Sequence, residues 1–273
     1  MLKVFYGPFH PDLEDAFAAR LAELAAFKQP VAVVAPSRVM ADRLERLAAV
    51  EINLALLDFH FHTFHSLALA ITEDSRGEER LIADPVFHDR VVDSLLDREP
   101  GLGKIFGGEA RPRALASALR NSLRDLIDAG VEASELEEAF GDELVIQPQE
   151  RERLKALLRL GSLYQERLKR LAVMSPSDIT RLAAAQAETS ELLGRFKEVI
   201  YYGFYDLTGL QLEFFEAVCN RCPARLYFPY RRDHPAFRFA TPFFEQKLLS
   251  HDAEEVPRSA DRPVMDKPLD GLF

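Results

Sequence analysis

Residues 2–15 read LKVFYGPFHPDLED. Leu2–Tyr6 is an apolar-rich run of strand length that stops at Gly7-Pro8. Pro11 suits the first position of a helix, and Phe17, Leu21 and Leu24 follow at helical spacing. The same alternation repeats further on. Val31–Ala35 is a second buried strand; Pro36-Ser37 follows, with Ser37 placed to cap a helix carrying Met40, Leu44 and Leu47. Residues 52–61 read as extended and 64–71 as helical again. Strands that are apolar throughout, alternating with helices, predict a parallel sheet covered on both faces.

The middle of the chain changes character. Residues 85–96, 111–129, 134–140, 148–172 and 176–193 carry helical periodicity and offer no convincing strand. Turn signals separate them at Pro100-Gly101, Gly107-Gly108, Gly130, Gly141-Asp142 and Ser175-Pro176. Ser177 has Thr180 three residues on, so it forms no capping box. Beyond residue 196 the first pattern returns: strands at 198–202 and 225–228, helices at 207–219 and 241–249, then a polar, proline-containing tail from Asp252 that reads as frayed or as a linker. The expected organisation is an α/β domain split between residues 1–75 and 196–273, with an all-helical insertion over 76–195.

Composition narrows the function classes. The 273 residues are 48% hydrophobic and 29% charged, which is globular rather than disordered. Two Cys cannot staple this length, so a reducing, cytoplasmic setting is expected. No run approaches the roughly 18 apolar residues of a membrane span, and the start lacks the pattern of a signal peptide. A net charge of −10 argues against binding nucleic acid with the whole surface and leaves a local groove open.

Strand, Gly-containing loop and helix at the chain start are the layout of a phosphate-binding P-loop. Counting G-x-x-x-x-G-K-[ST] from Gly7 puts Asp12, Leu13 and Glu14 where the second Gly, the Lys and the hydroxyl belong. Asp12, Glu14 and Asp15 complement the helix dipole, but each repels a triphosphate by about 1 kcal/mol or more. The residues fit either an α/β loop that never bound nucleotide or a P-loop fold that has lost it. A second position matches the latter. Glu198–Gln211 reads EVIYYGFYDLTGLQ, a buried strand running into a turn, with Tyr202 and Gly203 where a P-loop helicase places the Asp-Glu pair that holds Mg²⁺ and activates water.

At these residues the chain resembles superfamily I DNA helicases of the UvrD/RecB type. Four segments match in order: Val4–Gly7; VAVVAPSRVMADRLERL at 31–47; Thr63-Phe64-His65-Ser66-Leu67-Ala68; and YYGFYDLTGLQ at 201–211. With both catalytic motifs broken together, the chain is similar to the AddB group, the inactivated helicase-like subunits of AddAB-type helicase–nucleases; residues 224–249 likewise replace a third motif. The resemblance implies a P-loop NTPase-like (RecA-like) sheet with a helical 1B-like insertion and no ATP hydrolysis. It further implies no cofactor in this chain, an AddA-like partner, a role in double-strand-break repair, and contact with single-stranded DNA through Thr63, Phe64, His65 and Ser66; the residues by themselves fit equally a helix capped by Thr63 and Ser66 and a Phe64 packed in the core. Ser37, at a matching helix start, can contact a phosphate in the same way. The second motor domain and the nuclease of such proteins are not in these residues, so the chain reads either as the N-terminal part of a longer protein, which its proline-containing tail favours, or as a shortened relative.

Other constellations compete. DFHFHTFHS at 58–66 fits the opening metal motif of PHP-type phosphoesterases, with His60 and His62 alternating onto one face of a strand. The remaining histidines are scattered. Cys219 and Cys222 form a lone C-x-x-C at the end of a helix, the wrong end for a stabilised thiolate. The basic stretch 151–170 is interspersed with Glu150, Glu152 and Glu166 and reads mainly as a solvated helix face. A module that only binds a partner helicase is the third alternative.

Overall fold

The structure is a computed structural model that describes residues 2–27, 29–74, 81–107, 112, 114–130, 147–232 and 234–257. The expected helix at 134–140, the Gly141-Asp142 turn, Gly108 and the tail beyond 257 lie outside the described residues.

In chain order the elements are β1 (Leu2–Gly7), α1 (Glu14–Ala25), β2 (Val31–Ala35), α2 (Arg38–Arg46), β3 (Phe59–Thr63), α3 (Phe64–Asp74), β4 (Leu81–Ile82), α4 (Pro85–Arg98), α5 (Pro100–Gly107), α6 (Leu115–Asp128), α7 (Pro148–Arg170), β5 (Val173–Met174), α8 (Pro176–Gln186), β6 (Glu198–Tyr202), α9 (Gly209–Arg221), β7 (Ala224–Pro229) and β8 (Asp252–Glu255). They form two compact units. The first contains the described residues of 1–63, 195–206 and 222–273; the second contains those of 64–194 and 207–221. Thus α3 and α9 group with the helical unit, whereas the sequence pattern assigns both to the α/β domain.

The first unit is α/β, built on a six-stranded, all-parallel sheet in the order β3-β2-β6-β7-β1-β8. β2 and β6 are buried along their whole length, which is why VAVVA and EVIYY carry almost no polar alternation. On one face Val31, Val33, Ile200, Tyr202 and Tyr227 meet Phe17, Leu21 and Leu24 of α1 and Ala41 and Leu44 of α2. On the other, Tyr6, Phe228 and Tyr230 pack their rings on Phe244, in the helical turns at 241–248.

Two expectations fail at the ends of this unit. The polar tail begins as a strand: β8 pairs with β1 from Lys3↔Asp252 to Tyr6↔Glu255. An edge strand held through its backbone needs no apolar pattern, so DAEE gave no signal. Pro11 also does not start α1. His10 is extended, as a residue before proline prefers, and Phe9–Leu13 forms a separate turn ahead of the helix.

At the opposite edge of the strands Glu198, 6% exposed, accepts hydrogen bonds from Arg20 Nε (2.9 Å) and Arg225 Nε (2.9 Å). Glu23 also pairs with Arg20, at 2.7 Å. These contacts raise the Arg20 pKa against the opposing effect of its burial.

The second unit is helical. Val92 and Leu96 of α4, Leu119 and Leu123 of α6, and Leu160, Tyr164 and Leu168 of α7 make its core. α8 packs against both α3 and α9. Each start is capped where the sequence allows. Asp84 accepts from the Phe87 amide at 3.0 Å, and Ser175 forms with Asp178 the capping box that a reading centred on Ser177 misses. The paired strands β4 and β5 correct the expectation of no strand here. At two residues each, they are too short to show a period. Among the described residues no helix is long and apolar enough to cross a membrane.

Candidate functional site

The first unit has a topological switch point. From β1 the chain crosses β7 and β6 to reach β2; from β7 it crosses β1 to reach β8. Neighbouring strands whose connections leave in opposite directions open a crevice at their carboxyl ends, where α/β proteins bind ligands. Gly7 lies there opposite Pro229, and the Tyr230 amide donates to the Gly7 carbonyl at 3.0 Å.

Protein fills this place. The Phe9 ring meets Tyr202 edge-on at 5.4 Å, and Phe17 meets the same tyrosine at 4.8 Å. Tyr202 is 1% exposed, and its hydroxyl donates to the Phe9 carbonyl at 3.4 Å. Burial first, and then the Glu14 charge, push the Tyr202 phenol far above its ordinary pKa, so it stays a neutral donor. Gly203 has φ +82°, and a Cβ added there would lie 3.4 Å from the Phe9 ring. Leu13 is in the core, and Asp12 and Glu14 are buried. Glu14 pairs with Arg43 of α2 and with His10 Nδ1 at 3.5 Å, while the Arg43 guanidinium lies 5.9 Å from the centre of the Phe9 ring. Gly7, Asp12, Leu13, Glu14, Tyr202 and Gly203 thus lie on the two segments that Phe9 joins. The contact that occupies it comes from Phe9, which no motif count singles out.

A second group gathers at the β2–β3 edge. Ala35 is in register with Thr63 at the ends of β2 and β3, and Ser37 follows two residues beyond Ala35. The Ser37 oxygen accepts the Met40 amide proton at 3.2 Å as the cap of α2; its own O–H remains a donor. Arg38, exposed, pairs with Asp42 at 2.8 Å. On β3 the rings of His60 and His62 stack at 6.5 Å, on one face as their alternation requires. Among the described residues no three His, Cys, Asp or Glu side chains come together in a way that could hold a metal ion. Cys219 and Cys222 are buried and not joined to each other.

His62 supplies a pH dependence. Burial, and then the charges of His60 and Arg38, lower its pKa to about 4. An unfolded histidine titrates near 6.5. The neutral native form therefore contributes its full stability above pH 6.5, and the contribution is lost as pH falls from 6.5 to about 4. The loss is at most about 3 kcal/mol and is reduced by solvent screening at this partly exposed site. Denaturant midpoints measured from pH 7 to pH 4 should fall less steeply in His62→Gln than in the wild type.

The other TFHS residues begin α3 in the helical unit. Phe64 is 7% exposed and packs on Phe214 at 6.0 Å, so its ring belongs to the core and offers no face to a strand. Of the two readings its sequence position allows, this is core packing. His65 is exposed and borders a cavity, where partial desolvation lowers its pKa. Ser66 is partly buried.

Sequence reasoning missed one feature. Tyr205, just after β6, and Phe239, beyond β7, are both exposed and hold their rings 5.6 Å apart. Arg238 beside them is exposed. Residues 224–251 carry Arg225, Arg231, Arg232, Arg238 and Lys247 against Asp233 and Glu245, a local excess of positive charge in an acidic chain. That charge contrast, together with the F-R-F run at 237–239, was the available signal. No family model matches this sequence, and no curated protein matches it.

Proposed function

We propose that this chain is a helicase-like subunit that does not hydrolyse ATP and contacts single-stranded DNA, as part of a helicase–nuclease assembly with an AddA-like partner in double-strand-break repair. The observation that carries the reading is the filled switch point. A parallel sheet with strand, loop and helix in P-loop order keeps the crevice of a RecA-like motor, but Phe9, Tyr202 and the Glu14–Arg43 pair stand where phosphates and Mg²⁺ would bind. The exposed ring pair Tyr205–Phe239, flanked by Arg238, and the hydroxyls of Ser37 and Thr63 lie at the ends of strands of the same sheet. Stacked rings beside arginines suit unpaired bases and their phosphates, and this chemistry is indifferent to sequence.

The test is binding of an oligothymidine across a salt series. Binding is expected at about 50 mM salt and should weaken strongly by about 200 mM. Phe239→Ala should lower affinity by about fivefold to a hundredfold, the range for loss of one stacked base. Absence of binding at the lower salt, or turnover of Mg-ATP, would overturn the reading.

A further inference from the structure

The helical unit encloses a cavity of about 160 Å³ among the starts of α3, α4 and α8 and the flanks of α6 and α7. His88, Tyr164 and Ile179 form its buried floor, each at most 4% exposed. Met174, Ala83 and Ile127 contribute to apolar walls. His65, Asn121 and Arg124, all exposed, stand at the rim.

We infer that this cavity is a binding pocket for one flat heteroaromatic ring of pyrimidine size with a hydrogen-bonding edge. Size sets the first limit: an apolar cavity of about 150 Å³ holds one benzene ring, so a ring enters while any sugar or phosphate attached to it stays outside. Polarity sets the second. His88 Nδ1 lies 2.8 Å from the Tyr164 hydroxyl. Burial lowers the His88 pKa and pushes the Tyr164 phenol up to about 12, so both remain neutral near pH 7. His88 Nε2 makes no hydrogen bond of good geometry, although the Ala83 carbonyl stands beside it. Arg120, the other cation of the wall, is paired with Asp89 at 3.1 Å.

The interior thus presents the neutral His88–Tyr164 pair and an Asp89-paired Arg120 within apolar walls, the pattern of a small-molecule site. Such a site suits a ring with alternating carbonyl and N–H groups. Arg124 at the mouth has a loose 3.9 Å contact with Asp125 and can meet a phosphate carried by the ring. Two sources share this chemistry: a free nucleoside, or a base turned out of a strand. The inference does not rest on strand binding by the first unit.

The experiment follows the ¹³C-labelled methyl of Met174 and the ring signals of His88 by NMR during titration with thymidine, cytidine, benzene and oligothymidine. Saturable shifts with a pyrimidine nucleoside in the millimolar range are expected, with benzene weaker by severalfold. Ala83→Leu, which fills the cavity, should abolish them. Tyr164→Phe should weaken binding by about twofold to tenfold, the worth of one hydrogen bond; a thermal melt of each variant verifies the fold. Shifts with thymidine but not with oligothymidine would assign a free ligand, and shifts with both would assign a base of a strand. Either supports the pocket, whatever the salt series shows for the proposed function. The inference is overturned by no saturable shift from either nucleoside up to about 10 mM, by benzene binding as tightly as the nucleosides, or by shifts that persist in Ala83→Leu.

Discussion

Tyr202→Asp, which puts a carboxylate where the proposed reading expects an active motor to carry one, is expected to destabilise the α/β unit by about 4 kcal/mol or more and to yield no ATPase. Tyr202 is 1% exposed and touches Phe9, Phe17 and Tyr227. Truncating a buried aromatic costs about 3–5 kcal/mol through lost burial and the cavity left behind. The new carboxylate would also be buried beside Glu14, whose charge already acts on this site, with no cation added to meet it. Chemical denaturation followed by far-ultraviolet circular dichroism reads the loss. Tyr202→Phe keeps the ring and removes only the bond to the Phe9 carbonyl, so it should cost about 1 kcal/mol. A Tyr202→Asp protein with wild-type stability that turns over Mg-ATP would show an intact nucleotide site under a removable side chain, and the proposal would fail.

Glu198→Ala is expected to cost about 3 kcal/mol. The carboxylate is buried between Arg20 and Arg225, and its removal leaves two largely buried guanidinium groups without their shared acceptor. Breaking a buried pair from one side costs about 3–5 kcal/mol. The lower end applies because each arginine side chain retains 19% exposure, Arg20 keeps Glu23, and Arg225 keeps its place over the Phe5 ring. Glu198→Gln retains one acceptor and should lose about half as much. Because this network lies at the strand ends away from the proposed DNA-contacting face, both variants should keep wild-type oligothymidine affinity under conditions where they remain folded. A denaturant midpoint unchanged in Glu198→Ala would show that the arginines relax into water, as exposed pairs do.

The candidate site was partly legible. The absence of the second Gly, the Lys and the hydroxyl after Gly7 is a property of the sequence, and so is the absence of an acidic pair at Tyr202 and Gly203. What fills the crevice was not legible. Phe9 reaches Tyr202 across 193 residues of chain, and no local pattern reports such a contact. Phe64 packs on Phe214, 150 residues away, and its place in the TFHS segment does not report that contact. Tyr205 and Phe239 are ordinary aromatics in the sequence; their importance is that the fold leaves both exposed and touching.

The sequence by itself determined the layered class of the fold. Apolar runs of strand length alternating with helical periodicity can be buried only as a parallel sheet between helices. Ser37 likewise placed the start of α2. The tertiary structure alone decided three further matters. It recruited the polar DAEE segment as β8, because an edge strand is held by backbone bonds that any residue can make. It grouped α3 and α9 with the helical unit, because which helices share a core depends on complementary shape between distant segments. It also brought His88, Tyr164 and Met174, from three separate elements, around one cavity. Periodicity records which face of an element is apolar. It does not record what that face meets, and both the filled crevice and the ring-sized pocket are meetings of that kind.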